Sequence, residues 1–248
     1  LARMSFDRRS FLRRSSFAAL SLCFPKSHAE ATAARLARST PEAQGVSAQA
    51  VLDFLSEIES QKMELHSFMM LRHGQVIAEG WWQPYGPDLV HTMYSMSKSF
   101  TSTAVGFAVT EGKMSVEDKV VSFFPDDLPA QINENLAAMR VKDLLTMSTG
   151  NEKEPTQVCI KSDNWVRTFL SQTIAHKPGT QFMYNSAATY MCSAIVQKVT
   201  GQTVLDYLTP RLFTPLGISG MRWESCPRGI NTGGWGLSIQ TEGLAKFG

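Results

Sequence analysis

Cysteine is scarce in this sequence: four in 248 residues, none in a CxxC or Cys/His spacing, so no zinc site is indicated. Long apolar runs are missing as well. The stretch from Phe17 to Phe24 falls far short of the roughly 20 residues a helix needs to cross a bilayer. No Gly-x-Ser-x-Gly occurs, which removes the nucleophile elbow and with it a simple Ser–His hydrolase. Charge of one sign is also lacking, because beyond residue 31 there are 18 basic against 20 acidic side chains. Such a balance offers no electrostatic attraction for nucleic acid. What is present is apolar material, 43% of the residues, enough for one sizeable globular domain with no internal repeat or low-complexity tract.

The basic excess sits at the front. Residues 1–31 carry Arg3, Arg8, Arg9, Arg13, Arg14 and Lys26 against Asp7 and Glu30. The adjacent arginines of Asp7-Arg8-Arg9-Ser10-Phe11-Leu12, the short apolar stretch and the small-x-small sites Ser27-His28-Ala29 and Ala29-Glu30-Ala31 resemble a twin-arginine export signal. This implies a periplasmic or secreted protein delivered by export machinery, with no stable membrane insertion after cleavage. Residues 32–46 are expected as a linker and 47–248 as the folded domain. In an exported protein one disulfide among Cys159, Cys192 and Cys226 is chemically possible, with the pairing open.

Along the domain, Ser47 caps an expected helix bearing Val51, Leu52, Leu55 and Ile58. His66 to Trp82 reads as two strands joined by a tight turn at His73-Gly74. Phe100 to Val109, rich in small residues and stopped at Gly112, suits a central helix packed closely on all sides. Further helices are expected over Val141–Met147, Trp165–Leu170 and Ala187–Val199, the last stopped by Gly201.

The chemistry concentrates in Ser95-Met96-Ser97-Lys98. If Ser95 opens a helix, Lys98 lies one turn on along the same face, so its amine reaches the Ser95 hydroxyl. That pairs a nucleophile with a base, and the positive end of a helix dipole favours charge developing there. A bare Ser-x-x-Lys is weak, and its worth depends on company. Ser162-Asp163-Asn164 imitates a second catalytic element, although Ser162 or Asp163 as cap for the helix after it is the simpler role. His91 is expected as a loop or core residue. Trp81, Trp82, Tyr85 and Trp235 are candidates for a cleft wall, with core packing as their ordinary use.

The company is an ordered series. Pro41-Glu42-Ala43-Gln44-Gly45, Arg72-His73-Gly74, Ser95-Met96-Ser97-Lys98, Glu111-Gly112-Lys113, Leu144-Leu145-Thr146-Met147-Ser148-Thr149-Gly150, Pro178-Gly179-Thr180, Val199-Thr200-Gly201 and Pro215-Leu216-Gly217 resemble, in order, the serine hydrolases of the class C β-lactamase or penicillin-binding-protein-like family. The resemblance implies an α+β fold, β-lactamase/transpeptidase-like, with an antiparallel sheet flanked by helices and a helical subdomain. It implies Ser95 as acylated nucleophile, Lys98 as base and Tyr184 as the tyrosine that relays protons. The Tyr-x-Asn element reads Tyr184-Asn185-Ser186 here, closer to the esterase and nylon-oligomer hydrolase branch, with Ser186 as a substrate-binding candidate beside Trp235.

No cofactor and no metal are implied. The expected partner is a small ester or amide. Alternatives remain open: a DD-peptidase or β-lactamase acting on peptidoglycan-like or β-lactam substrates, and a catalytically incomplete binding or scaffold protein. The third family element, Lys-Thr-Gly or His-x-Gly, is not found, and Ile239–Gly248 resembles the segment that precedes it. The resemblance therefore implies that the C-terminal part of the domain is missing.

Overall fold

The computed structural model describes residues 35–248, and the expected export signal at 1–31 lies outside the described residues. Helix α1 spans Ala48–Ser60, and the Ser47 hydroxyl accepts from the Ala50 amide at 3.4 Å, the expected cap. Val51 and Ile58 are buried, whereas Leu52 is exposed. Strands β1 (Ser67–Arg72) and β2 (Gln75–Trp81) pair antiparallel. His73 and Gly74 both adopt positive φ, 50° and 73°, the handedness a two-residue hairpin turn needs to follow the strand twist.

A short strand β3 (His91–Thr92) leads through a 3-10 turn, Tyr94–Met96, into helix α2 (Ser97–Thr110). Its buried residues Ser97, Phe100, Thr101, Ala104, Val105 and Ala108 form one stripe, so the helix is amphipathic rather than buried all round as expected. The Lys113 amide bonds to the Ala108 carbonyl and the Gly112 amide to that of Val109, both at 2.9 Å, the two reciprocal bonds of a glycine C-cap.

Helices α3 (Val141–Leu145) and α4 (Trp165–Leu170) pack near α5 (Ser186–Thr200), the true central helix, in which every residue from Ala187 to Val196 is buried. Helix α6 (Val204–Leu208) follows it. Strands β4 (Arg222–Trp223) and β5 (Leu237–Ile239) join β3 in a three-stranded antiparallel sheet ordered β3-β5-β4, and α7 (Thr241–Phe247) ends the described chain. Among the described residues there are thus two small antiparallel sheets where one was expected. The Phe247 ring stacks on Phe100 at 4.0 Å, seating α7 against α2.

The described part of the expected linker is docked. The Val76 amide bonds to the Ala37 carbonyl at 2.8 Å and Ser39 returns a bond to Val76 at 3.0 Å, so the segment lies along β2. Arg38 then joins Glu79 at 3.0 Å and Glu242 at 2.8 Å, linking this segment, the hairpin and α7. Cys159, Cys192 and Cys226 are all free and buried, so the disulfide left open by the sequence does not form among them.

Candidate active site

The turn that carries Ser95 is fastened from below. The Met93 amide bonds to the Leu237 carbonyl at 2.7 Å, and Thr92 pairs with Ser238 in the β3–β5 ladder. Ser97, fully buried, donates from its hydroxyl to the Tyr94 carbonyl at 2.6 Å and accepts from the Leu237 amide at 3.2 Å. Tyr94 takes a positive φ of 44°, a conformation that costs a side-chain-bearing residue about 1–2 kcal/mol. Ser95 is left exposed at the apex.

Ser95 therefore precedes α2 rather than opening it. It lies in the 3-10 turn, where residues three apart eclipse one another, so Lys98 still comes under it: Lys98 Nζ lies 3.1 Å from Ser95 Oγ. The same amine donates to Ser186 Oγ at 3.0 Å and to the Gly234 carbonyl at 2.6 Å. The Ser95 N–H stands at the head of the turn, where helical amides have no intrahelical partner.

Tyr184 comes from the other side. The Gly179 amide bonds to Ser148 at 2.8 Å and the Met183 amide to Met147 at 3.0 Å, which holds the approach to α5 along the 147–150 segment. Asn185 caps α5 through its side-chain oxygen, 2.9 Å from the Ala188 amide, and its amide nitrogen reaches Thr149 Oγ1 and Asn151 Oδ1, each at 3.3 Å. With Asn185 wholly buried, the residue before it has little freedom. The Tyr184 hydroxyl lies 2.6 Å from Ser95 Oγ, and Lys98 Nζ stands 4.9 Å from the ring centroid. The hydrogen bond with Ser95 outweighs partial burial and, aided by Lys98, lowers the phenol below its ordinary value of 10.0.

The structure thus joins Ser95, Lys98, Tyr184 and Ser186 in one hydrogen-bonded cluster. The Trp235 ring is half-buried and stacks on Trp165 at 5.7 Å, and its neighbour Gly234 gives its carbonyl to the cluster. His91 stands apart, its Nε2 2.5 Å from His66 Nδ1 and its ring beside Tyr85. In the Ser162-Asp163-Asn164 imitation the cap is Asn164, which accepts from the Arg167 amide at 3.1 Å and donates to Asp127 at 2.7 Å. Trp81 bonds to Thr241 at 3.3 Å and Tyr85 stacks on His66 at 4.1 Å, so both serve the hairpin region.

One participant escaped sequence reasoning. The Gly234 carbonyl belongs to Thr232-Gly233-Gly234-Trp235-Gly236, a loop held between α2 and α5 by bonds from Thr101 Oγ1 of α2 to Gly233 at 2.9 Å and from Ser193 Oγ of α5 to Asn231 at 2.7 Å. A Cβ at Gly234 would lie 2.7 Å from the Ser186 carbonyl, so only glycine permits this approach. Three glycines in five residues were the available signal.

Residues 55–243 match the family described as Beta-lactamase. The chain belongs to the beta-lactamase family. It is 28% identical over 230 residues to the 6-aminohexanoate-dimer hydrolase of Paenarthrobacter ureafaciens, covering 85% of this chain and 58% of that protein. Among solved structures, a putative 6-aminohexanoate-dimer hydrolase from Bacillus anthracis superposes with a TM-score of 0.69 at 15% identity, over 87% of this chain and 62% of that one. An octameric penicillin-binding protein homologue from Pyrococcus abyssi superposes with a TM-score of 0.63 at 21% identity, over 82% and 55%. These likenesses establish a β-lactamase/transpeptidase-like α+β fold. The chain spans less than two thirds of the length of each of these three relatives.

Proposed function

We propose that this beta-lactamase family member is a serine hydrolase cleaving ester or amide bonds through an acyl-enzyme on Ser95. The single observation that carries the proposal is that one hydroxyl, Ser95 Oγ, lies 2.6 Å from a phenol and 3.1 Å from an amine. As a neutral amine, Lys98 has two N–H groups, which Ser186 Oγ and the Gly234 carbonyl accept, and one lone pair, which then faces the Ser95 hydroxyl. Ser95 Oγ bonds to the substrate carbonyl carbon as its proton passes to Lys98. The oxyanion accepts from the Ser95 N–H.

Collapse breaks the bond to the leaving alcohol or amine, which takes the Tyr184 proton. Lys98 returns its proton to Tyr184. In the second half, water gives a proton to this pair, attacks the acyl carbon and releases the acid while Ser95 Oγ recovers its hydrogen.

The name of the relative, a hydrolase of an amide dimer, supports amides beside esters as the substrate class. Serine at position 186, where β-lactamases carry asparagine, counts against β-lactam turnover as the principal activity. The test is covalent: a fluorophosphonate probe labels the protein, Ser95→Ala abolishes labelling, and Ser99→Ala retains it. Equal labelling of the Ser95→Ala protein refutes the assignment.

We also propose export through the twin-arginine route, supported by Arg8 and Arg9 before Phe11-Leu12. Replacing both arginines by lysine leaves uncleaved protein in the cytoplasm. Unchanged periplasmic delivery means another route.

A further inference from the structure

Three large apolar side chains next in sequence to Ser95 or near Tyr184 are left unburied. Tyr94 is 71% exposed, Met96 48% and Phe182 72%. Tyr94 and Met96 flank the nucleophile in sequence, and Phe182 lies two residues before Tyr184, whose hydroxyl is 2.6 Å from Ser95 Oγ. A single exposed apolar side chain is ordinary, but three within two residues of one hydrogen-bonded Ser95–Tyr184 pair are not. Folding does not account for Tyr94. Its ring gains little from burial, and its backbone is held at φ 44°, an outlier for a bulky residue. Met96 adds an unbranched, adaptable side chain suited to ligands of varied shape.

We infer that Tyr94, Met96 and Phe182 form an apolar rim that binds an alkyl or aryl acyl group beside the scissile carbonyl, making them specificity-determining residues of the Ser95 site. This rests on the Ser95 acyl-transfer proposal and deepens it. The rim commits the enzyme to apolar acyl chains: each methylene laid on it leaves water, and part of that gain appears in the transition state.

The experiment is a series of p-nitrophenyl esters from acetate through butyrate and hexanoate to octanoate. In the wild-type chain kcat/KM rises about twofold per added methylene, roughly half of what full burial would give on a logarithmic scale. Phe182→Ser and Tyr94→Asn each flatten the series, asparagine being chosen because it tolerates the left-handed backbone. Their combination brings the slope close to zero, with thermal unfolding confirming that the variants are folded.

A flat series in the wild type, or a slope that survives in the double variant, overturns the inference. So does a change of oligomeric state in the double variant with the slope intact, which would make the rim a protein interface. Fluorophosphonate labelling separates the two levels. A protein that is not labelled at Ser95 sinks the acyl-transfer proposal itself, whereas a labelled protein with a flat series sinks only the rim.

Discussion

Lys98 holds its amine among three oxygens, and the roles of its neighbours follow from which of them can change protonation. Ser186 Oγ and the Gly234 carbonyl hold the amine in place, while in the proposed mechanism Ser95 Oγ and the Tyr184 hydroxyl exchange protons. In the proposed mechanism Tyr184 gives a proton to the leaving group, so activity is expected to fall as pH rises through its pKa. That pKa is lowered from 10.0, first by the bond with Ser95. The profile of kcat against pH therefore has an alkaline limb below pH 10, and Tyr184→Phe loses about 100-fold or more in kcat along with that limb. A limb retained in the Phe variant would move the role to another group. Ser186→Ala removes one neutral acceptor from Lys98 and lowers kcat about tenfold, the scale of one net hydrogen bond.

At the scale of elements, the site depends on how β5 and the glycine loop meet α2. Ser97 is the bolt: deleting its hydroxyl strands the buried Leu237 amide and frees the Tyr94 carbonyl. Ser97→Ala is accordingly destabilised by about 1–3 kcal/mol in urea unfolding, although Ser97 touches no substrate. Gly234→Ala drives a methyl into the Ser186 carbonyl, so the loop must withdraw and carry its own carbonyl away from Lys98. Expected are a stability loss of about 1–3 kcal/mol and a fall in kcat exceeding that of Ser186→Ala. A Gly234→Ala protein with wild-type kcat would show that the carbonyl does not orient the amine.

Over the whole molecule, Arg38 ties the segment before α1, the hairpin and α7 together through Glu79 and Glu242. Burial raises the Glu242 pKa, but hydrogen bonds from Arg38 and the Leu36 amide, with the Arg38 charge, hold it below the ordinary 4.5. A carboxylate with a depressed folded pKa stabilises fully above its unfolded value and loses that contribution as pH falls through the folded one. Unfolding free energy of the wild type thus declines more steeply below pH 4.5 than that of Arg38→Ala, which at pH 7 is about 1–2 kcal/mol less stable. Matching slopes would deny the clamp. Cys159 and Cys192, each pushed up to about 12 chiefly by burial, stay unreactive toward a disulfide reagent until the protein unfolds.

Legibility from sequence follows the reach of the interactions. Ser95 and Lys98 were readable because three residues of separation bring side chains together in either a 3-10 or an α-helical turn, so the pair survives the error about where the helix begins. The His73-Gly74 turn, the Ser47 cap and the Gly201 stop were likewise local, set by backbone preferences of a few adjacent residues. Tyr184 needed the ordered motif series. The Gly234 carbonyl, the Ser97 bolt and the docking of Arg38 lay beyond both, because each joins segments from 136 to 204 residues apart, and the first two use backbone groups every residue possesses. The same limit applies to which helix is buried all round: small residues marked α2 and α5 alike, and only packing made α5 the core. Periodicity and short motifs are properties of neighbours in the chain, and the environment of a proton-transfer cluster is a property of neighbours in space.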